Sequence, residues 1–372
     1  MAWGVRTMRR RQRRSWLLLA GGSLLLLLMV ACFSHVALLA GEHPSQAARD
    51  GGRSGKAAAK RVARSKSLRS RQDLLPVTVT ELETLKQLPL QRWDDRQRTL
   101  LNMTFRPWAL TATDSSCRRM ATRFSAGLRP TALVSLPSSG NTWLRQLIEG
   151  ATGVFTGSLY SDVVLIREGM YGEIVPYDSG TTIAQKTHGF TTLEGVTAEP
   201  EQQRRVFSHV TQFGCRAVLL VRNPLAALLS HRHLDAAGHL GFAPPSHFEG
   251  EGWQEYVSEK ALFWRKLYAD WIGQCPTDQL LLVRYERLLE DLPTELGRVL
   301  RFLGVRPDPA RLRCLYSYPN GRMKRRDRKK KPEAQPAEPF TEQQKALVRG
   351  HVTDLDRLVR EKGLGELPEY LL

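Results

Sequence analysis

Between Trp16 and Ala40 lie 25 consecutive residues with no Asp, Glu, Lys or Arg, including the five-leucine run Leu24 to Leu28. At about 1.5 Å of rise per residue, a helix of that length crosses the hydrocarbon core of a bilayer. Arg6, Arg9, Arg10, Arg11, Arg13 and Arg14 precede it, whereas only Arg49 and Arg53 follow at a comparable distance. This asymmetry predicts a cytosolic basic tail over residues 1–15 and an uncleaved signal-anchor over 16–40. Everything beyond would be lumenal, a single-pass type II topology. The competing reading is a cleavable signal peptide. Its apolar region would be unusually long, and Leu38 stands where a small residue is expected before a cut after Ala40.

The net charge of +18 over 372 residues suggests nucleic acid until the charges are located. Residues 1–72 hold 15 Lys and Arg against Glu42 and Asp50, and the segment Arg322–Lys331 holds eight against Asp327. Removing those two clusters leaves a chain close to neutral, with no broad basic surface to track a phosphodiester backbone. Nucleic acid is therefore not expected as a partner. The second cluster is either a solvated loop or a patch that attracts an acidic ligand.

Gly41 to Gln72 is rich in Ala, Gly, Ser, Lys and Arg and poor in large apolar residues, the composition of a flexible stem. Asp73 to Phe124 has scattered apolar residues compatible with short helices, and we assign residues 41–127 together as a lumenal stem. Asn102-Met103-Thr104 is an N-glycosylation sequon, as expected of a lumenal glycoprotein. Beyond the anchor stand Cys117, Cys215, Cys275 and Cys314, which allow three disulfide pairings. Their spacing fits no zinc pattern.

The chemistry begins at Ala132. Ala132 to Leu136 is a short apolar run, followed by Pro137-Ser138-Ser139-Gly140-Asn141-Thr142-Trp143 and then by helically spaced Leu144, Leu147 and Ile148. Strand, small-residue turn and helix together make a phosphate cradle, because the first N–H groups of a helix have no intrahelical partner. No Gly-Lys-Ser/Thr follows the turn, so it is not a Walker loop. Thr182 to His188 reads as a second strand ending in Lys186 and His188, which alternation sends to one side. An imidazole beside an ammonium suits deprotonation of an alcohol and neutralisation of a leaving phosphate. Ala217 to Val221 fits a strand buried on both faces and ends in Arg222-Asn223-Pro224, with Ser230 eight residues after Arg222. An arginine at the carboxyl end of such a strand can grip a phosphate.

These elements together resemble the sulfotransferases that use 3′-phosphoadenosine 5′-phosphosulfate (PAPS). Residues 137–143 are similar to that family's 5′-phosphosulfate loop, Lys186-Thr187-His188 to its catalytic Lys-Thr-His motif, and Arg222 with Ser230 to its 3′-phosphate site. Leu280 to Glu286, followed by an amphipathic helix to Gly304, is similar to its late strand and helix. The resemblance implies Tyr285 near the adenine and Trp143 stacked on it. More narrowly, Gly140 to Trp143, Ala151-Thr152-Gly153, Thr156-Gly157-Ser158, Gly238-His239-Leu240-Gly241 and Glu338-Pro339-Phe340-Thr341 resemble the WSC-domain-containing sulfotransferases, a group associated with sulfating sialic acid. No Cys-rich WSC module is present here.

The resemblance implies an α/β fold over residues 128–372, with a P-loop-like parallel sheet flanked by helices. It also implies a Golgi membrane enzyme that transfers a sulfuryl group from PAPS to a glycan hydroxyl. His188 would be the base and Lys186 the cation, with no metal. Ser138, Ser139, Gly140, Asn141, Thr142, Trp143, Arg222, Ser230 and Tyr285 would bind the nucleotide. The cytosolic branch of the family has a lysine after the loop proline, where this chain has Ser138. Two rival classes are a kinase-like nucleotide enzyme and a catalytically inactive, membrane-anchored binding protein of the same fold. The missing Walker lysine counts against the first, and the presence of His188 against the second.

Overall fold

The computed structural model describes residues 78–189, 209–239, 241–319 and 339–367. The predicted anchor over Trp16–Ala40 and the basic segment Arg322–Lys331 lie outside these residues. Among the described residues no helix is long and apolar enough to cross a membrane.

Strands β1 (Thr104–Phe105) and β2 (Thr122–Arg123) form a small antiparallel pair. The main sheet has five parallel strands: β3 (Ala132–Val134), β4 (Gly157–Ser158), β5 (Gln185–Thr187), β6 (Ala217–Val221) and β7 (Leu280–Arg284). Their order is β4-β5-β3-β6-β7. The longer helices are α1 (Val79–Gln87), α2 (Asn141–Thr152), α3 (Pro224–Ala237), α4 (Gly250–Gln274), α5 (Leu292–Phe302), α6 (Pro309–Ser317) and α7 (Glu342–Glu361).

A strand with apolar residues at every position needs cover on both faces, and the sheet has it. Ala132, Val134, Leu219 and Val221 face a core with Leu228 of α3, Trp264 and Trp271 of α4 and Val352 of α7. The alternate residues Leu133, Val218 and Leu220 face Leu144 and Ile148 of α2, Val299 of α5 and Leu315 of α6. The α/β architecture expected from the sequence is therefore observed.

Two predicted elements end earlier than expected, for a local reason. The strand expected over Ala132–Leu136 stops at Val134: the Ser135 N–H still donates to the Thr187 carbonyl at 3.2 Å, but the Leu136 N–H donates to the Tyr268 hydroxyl at 3.2 Å. The helix expected after Glu286 and running to Gly304 breaks in two at Asp291, whose carboxylate caps α5 by accepting from the Thr294 N–H at 3.2 Å.

Residues 78–127 are folded. Leu82, Leu85, Trp93 and Leu100 bury against Ile166, Ile174 and Val175. The pairings left open by the sequence are Cys117–Cys314 and Cys215–Cys275, with Cα atoms 5.6 and 5.2 Å apart. The first ties the segment before β2 to α6. The folded unit thus includes residues 78–127, which the sequence reading placed in the stem.

Candidate active site

The chain leaves central strand β3, visits β4 and β5 on one side, then crosses to β6 and β7 on the other. The point where the order reverses opens a crevice at the carboxyl ends of the strands. Register brings those ends together, since Val134 pairs with both Thr187 and Leu219, and Val221 pairs with Arg284. Ser135, His188, Arg222 and Tyr285, each the first residue past its strand, therefore share one rim.

The turn between β3 and α2 is built for close approach. Ser138 and Gly140 both have left-handed backbone, with φ of 64° and 91°. At Gly140 a side chain is excluded twice over, by that φ and because a Cβ would overlap the Tyr285 ring. Gly140 precedes the first turn of α2, where no side chain caps the backbone N–H groups. These groups are consequently available to an anion. Asn141 is buried and turns its Nδ2 inward, donating to the Leu133 carbonyl and Ser135 Oγ at 3.1 Å each. Its contribution toward the crevice is the backbone N–H. Ser139 is also buried, while Thr142 is half-buried in the first turn.

Arg222 reaches across from β6 and donates through Nη1 to the Ser138 carbonyl at 2.7 Å. Its guanidinium carbon stands 4.6 Å from the centre of the Tyr285 ring. Trp143 meets that ring edge-on at 5.8 Å and donates its indole N–H to the Pro319 carbonyl. The buried Arg222 Nε makes no hydrogen bond to the described residues. Asn223 caps α3 through Ala226, with Pro224 in the first turn as predicted. Ser230 is half-buried further along α3. The turn, Arg222 and Tyr285 thus form one cluster, with Trp143 behind it.

His188 lies on the opposite lip, and its Nδ1 is 2.7 Å from the Ser135 carbonyl. A carbonyl only accepts, so Nδ1 carries the proton and Nε2 keeps a free lone pair. Burial holds its pKa well below the ordinary value, and the neighbouring Lys186 charge lowers it further, against the Ser135 hydrogen bond. The ring is therefore neutral at physiological pH and can accept a proton through Nε2. Lys186 is buried too; loss of solvent lowers its pKa while the Glu173 carboxylate raises it.

Sequence reasoning missed the wall behind this pair. The Tyr160 hydroxyl accepts the His188 backbone N–H at 2.8 Å and donates to the Gly189 carbonyl at 3.3 Å. Its ring stacks on the imidazole at 5.6 Å and lies 5.6 Å from the Lys186 ammonium. Arg145 and Glu173 form a fully buried ion pair, and Arg145 also donates to the Thr156 hydroxyl at 2.8 Å. Thr156 in turn donates to Glu149 at 2.6 Å. Burial pushes the Glu149 carboxyl up to about 7, against the lowering pull of Arg145. His239 Nε2 donates to Asp162 Oδ2 at 2.8 Å, closing the wall from the side of α3. The available signal was Arg145 and Glu149, opposite charges one turn apart on α2.

Among the described residues no group of His, Cys, Asp and Glu is arranged to hold a metal ion.

Comparison with known proteins identifies the family. The sulfotransferase domain model matches residues 128–354. A WSCD family member of Drosophila pseudoobscura pseudoobscura is 33% identical over 221 residues, covering 59% of this chain and 62% of the fly protein. A WSCD family member of Drosophila melanogaster is 32% identical over the same shares. The chain therefore spans less than two-thirds of the length of these relatives. A mouse sulfotransferase, SULT7A1, solved with PAP, aligns with 53% of this chain and 66% of its own. Its TM-score of 0.34 and identity of 19% are too low to bear on the site. The match of the domain model to most of the chain, over the residues that form the sheet and the crevice, places it plainly: this chain belongs to the sulfotransferase family.

Proposed function

We propose that the protein is a PAPS-dependent sulfotransferase of the Golgi membrane, acting on a hydroxyl of a glycan. Sialic acid is the acceptor class that the sequence resemblance implies. The observation that carries the reading is the neutral His188, its Nε2 free, at the same rim as an uncapped helix N-terminus and Arg222.

The residues fit the donor. The N–H groups of Asn141, Thr142 and Trp143 suit a 5′-phosphosulfate, helped by the Ser138 and Ser139 hydroxyls. Arg222 has an unpaired buried Nε for a 3′-phosphate, with Ser230 as an additional donor. Tyr285 and Trp143 offer ring surface for a base. When bound, PAPS supplies the activated sulfuryl group. His188 Nε2 takes the proton of the acceptor hydroxyl. Lys186 would bring a cation close to His188, while the turn amides add oriented dipoles that need no reorganisation. With Ser138 in place of the loop lysine, Lys186 or an arginine of the basic segment Arg322–Lys331 would supply the cation. Positioning and electrostatics, not covalent chemistry by the protein, supply the acceleration.

The arginine asymmetry about residues 16–40 and the two disulfides support a lumenal, oxidising setting. The full chain, incubated with labelled PAPS and a panel of sialylated and unsialylated glycans, should label a glycan. Failure to label any acceptor would remove this function.

A further inference from the structure

Helix α1 lies ahead of residue 128, where the family match begins, yet it enters the wall behind His188. Thr78 and Glu81 close a capping box that fixes its start. Leu82 and Leu85 anchor one face against Ile166, Ile174 and Val175. Lys86, one turn beyond Leu82, projects beside them. Its ammonium donates to two backbone carbonyls, that of Tyr160 and, at 2.9 Å, that of Glu173. Tyr160 touches His188 and Lys186 through its ring and His188 again through its hydroxyl. Glu173 holds Arg145 through one carboxylate oxygen and accepts the Asp162 N–H through the other at 3.3 Å.

We infer that Lys86 is a positioning residue of the active site: by clamping the Tyr160 and Glu173 backbones together, it holds the surface against which His188 and Lys186 are oriented. The role of His188 as base rests on the proposed function; the clamp itself rests on the contacts. An ammonium suits the task, because its three N–H groups can meet carbonyls arriving from two directions. Burial lowers its pKa to about 8, with Glu173 opposing, so the charged form still dominates at neutral pH. No group that would touch the substrates is involved, so the effect should appear in geometry and turnover before nucleotide binding.

The test compares the full chain with Lys86→Gln and Lys86→Arg, following amide exchange by mass spectrometry, PAP affinity and transferase kinetics. Lys86→Gln should speed exchange at residues 185–189 by about tenfold while the β6 amides keep their protection. Turnover should fall about 10- to 100-fold with PAP affinity and donor KM within about twofold of wild type, as expected for misplaced groups. Lys86→Arg, which keeps charge and donors, should restore most of both. Unchanged exchange at 185–189 in Lys86→Gln would overturn the inference, as would a uniform rise across the whole domain. If the wild-type chain transfers nothing, the proposed function fails; the exchange result still decides whether Lys86 is a clamp.

Discussion

His188 illustrates how one hydrogen bond fixes the chemistry of a side chain. Because Ser135 offers a carbonyl, the imidazole is locked as the Nδ1–H tautomer, with the basic nitrogen free. Replacing His188 by Ala should reduce turnover by about 10²–10⁴-fold, the usual contribution of a positioned base, and leave PAP affinity unchanged by calorimetry. Because its pKa is depressed, kcat should be flat with pH across neutrality and fall only in acid; an acid limb centred above pH 7 would contradict the assignment. The same depression has a stability consequence. As the pH drops below the ordinary histidine pKa, the unfolded chain takes up a proton that the fold resists, so this residue's contribution to stability is lost toward acid. Arg222→Ala should weaken PAP binding by about 30- to 100-fold, equivalent to about 2–3 kcal/mol for a charge-assisted contact. Of the residues read from the sequence, Arg222 was legible because it follows the apolar run Ala217–Val221, and Lys186 and His188 because they match the family's Lys-Thr-His motif. The inward turn of Asn141 and the role of Tyr160 were not. Both depend on which backbone groups other segments present, and periodicity carries no such information.

At the scale of elements, the central strands were readable from runs such as Ala217–Val221 because a doubly covered strand needs apolar residues on both faces. Their ends were less readable, since a strand stops where side-chain hydrogen bonds replace its neighbour, as Tyr268 does at Leu136. The folding of residues 78–127 was hidden for a related reason: Leu82, Leu85, Trp93 and Leu100 are sparse locally and find their partners far along the chain. The wall behind His188 makes a sharp prediction about stability. Removing Glu173 as Glu173→Ala would leave the Arg145 charge buried and unpaired, and should destabilise the domain by about 3–5 kcal/mol in denaturant titration. A loss below about 1 kcal/mol, the range of exposed pairs, would contradict the burial of this pair.

At the scale of the whole molecule, the proposed topology can be tested apart from the proposed catalysis. The sequon at Asn102 is exposed, at the end of a short helical turn. In intact microsomes the C-terminal domain should resist added protease, and endoglycosidase should shift its mobility in wild type but not in Asn102→Gln. Digestion of the domain in sealed vesicles would reverse the topology. The central claim is sulfuryl transfer, and the most direct measurement is the movement of label from PAPS to a glycan by the full chain and by its His188→Ala variant. Wild type should give labelled glycan, and the variant should bind PAP as tightly while transferring next to nothing. A wild-type chain that binds PAP but labels no glycan, sialylated or not, would contradict that claim and leave a nucleotide-binding protein on a sulfotransferase fold.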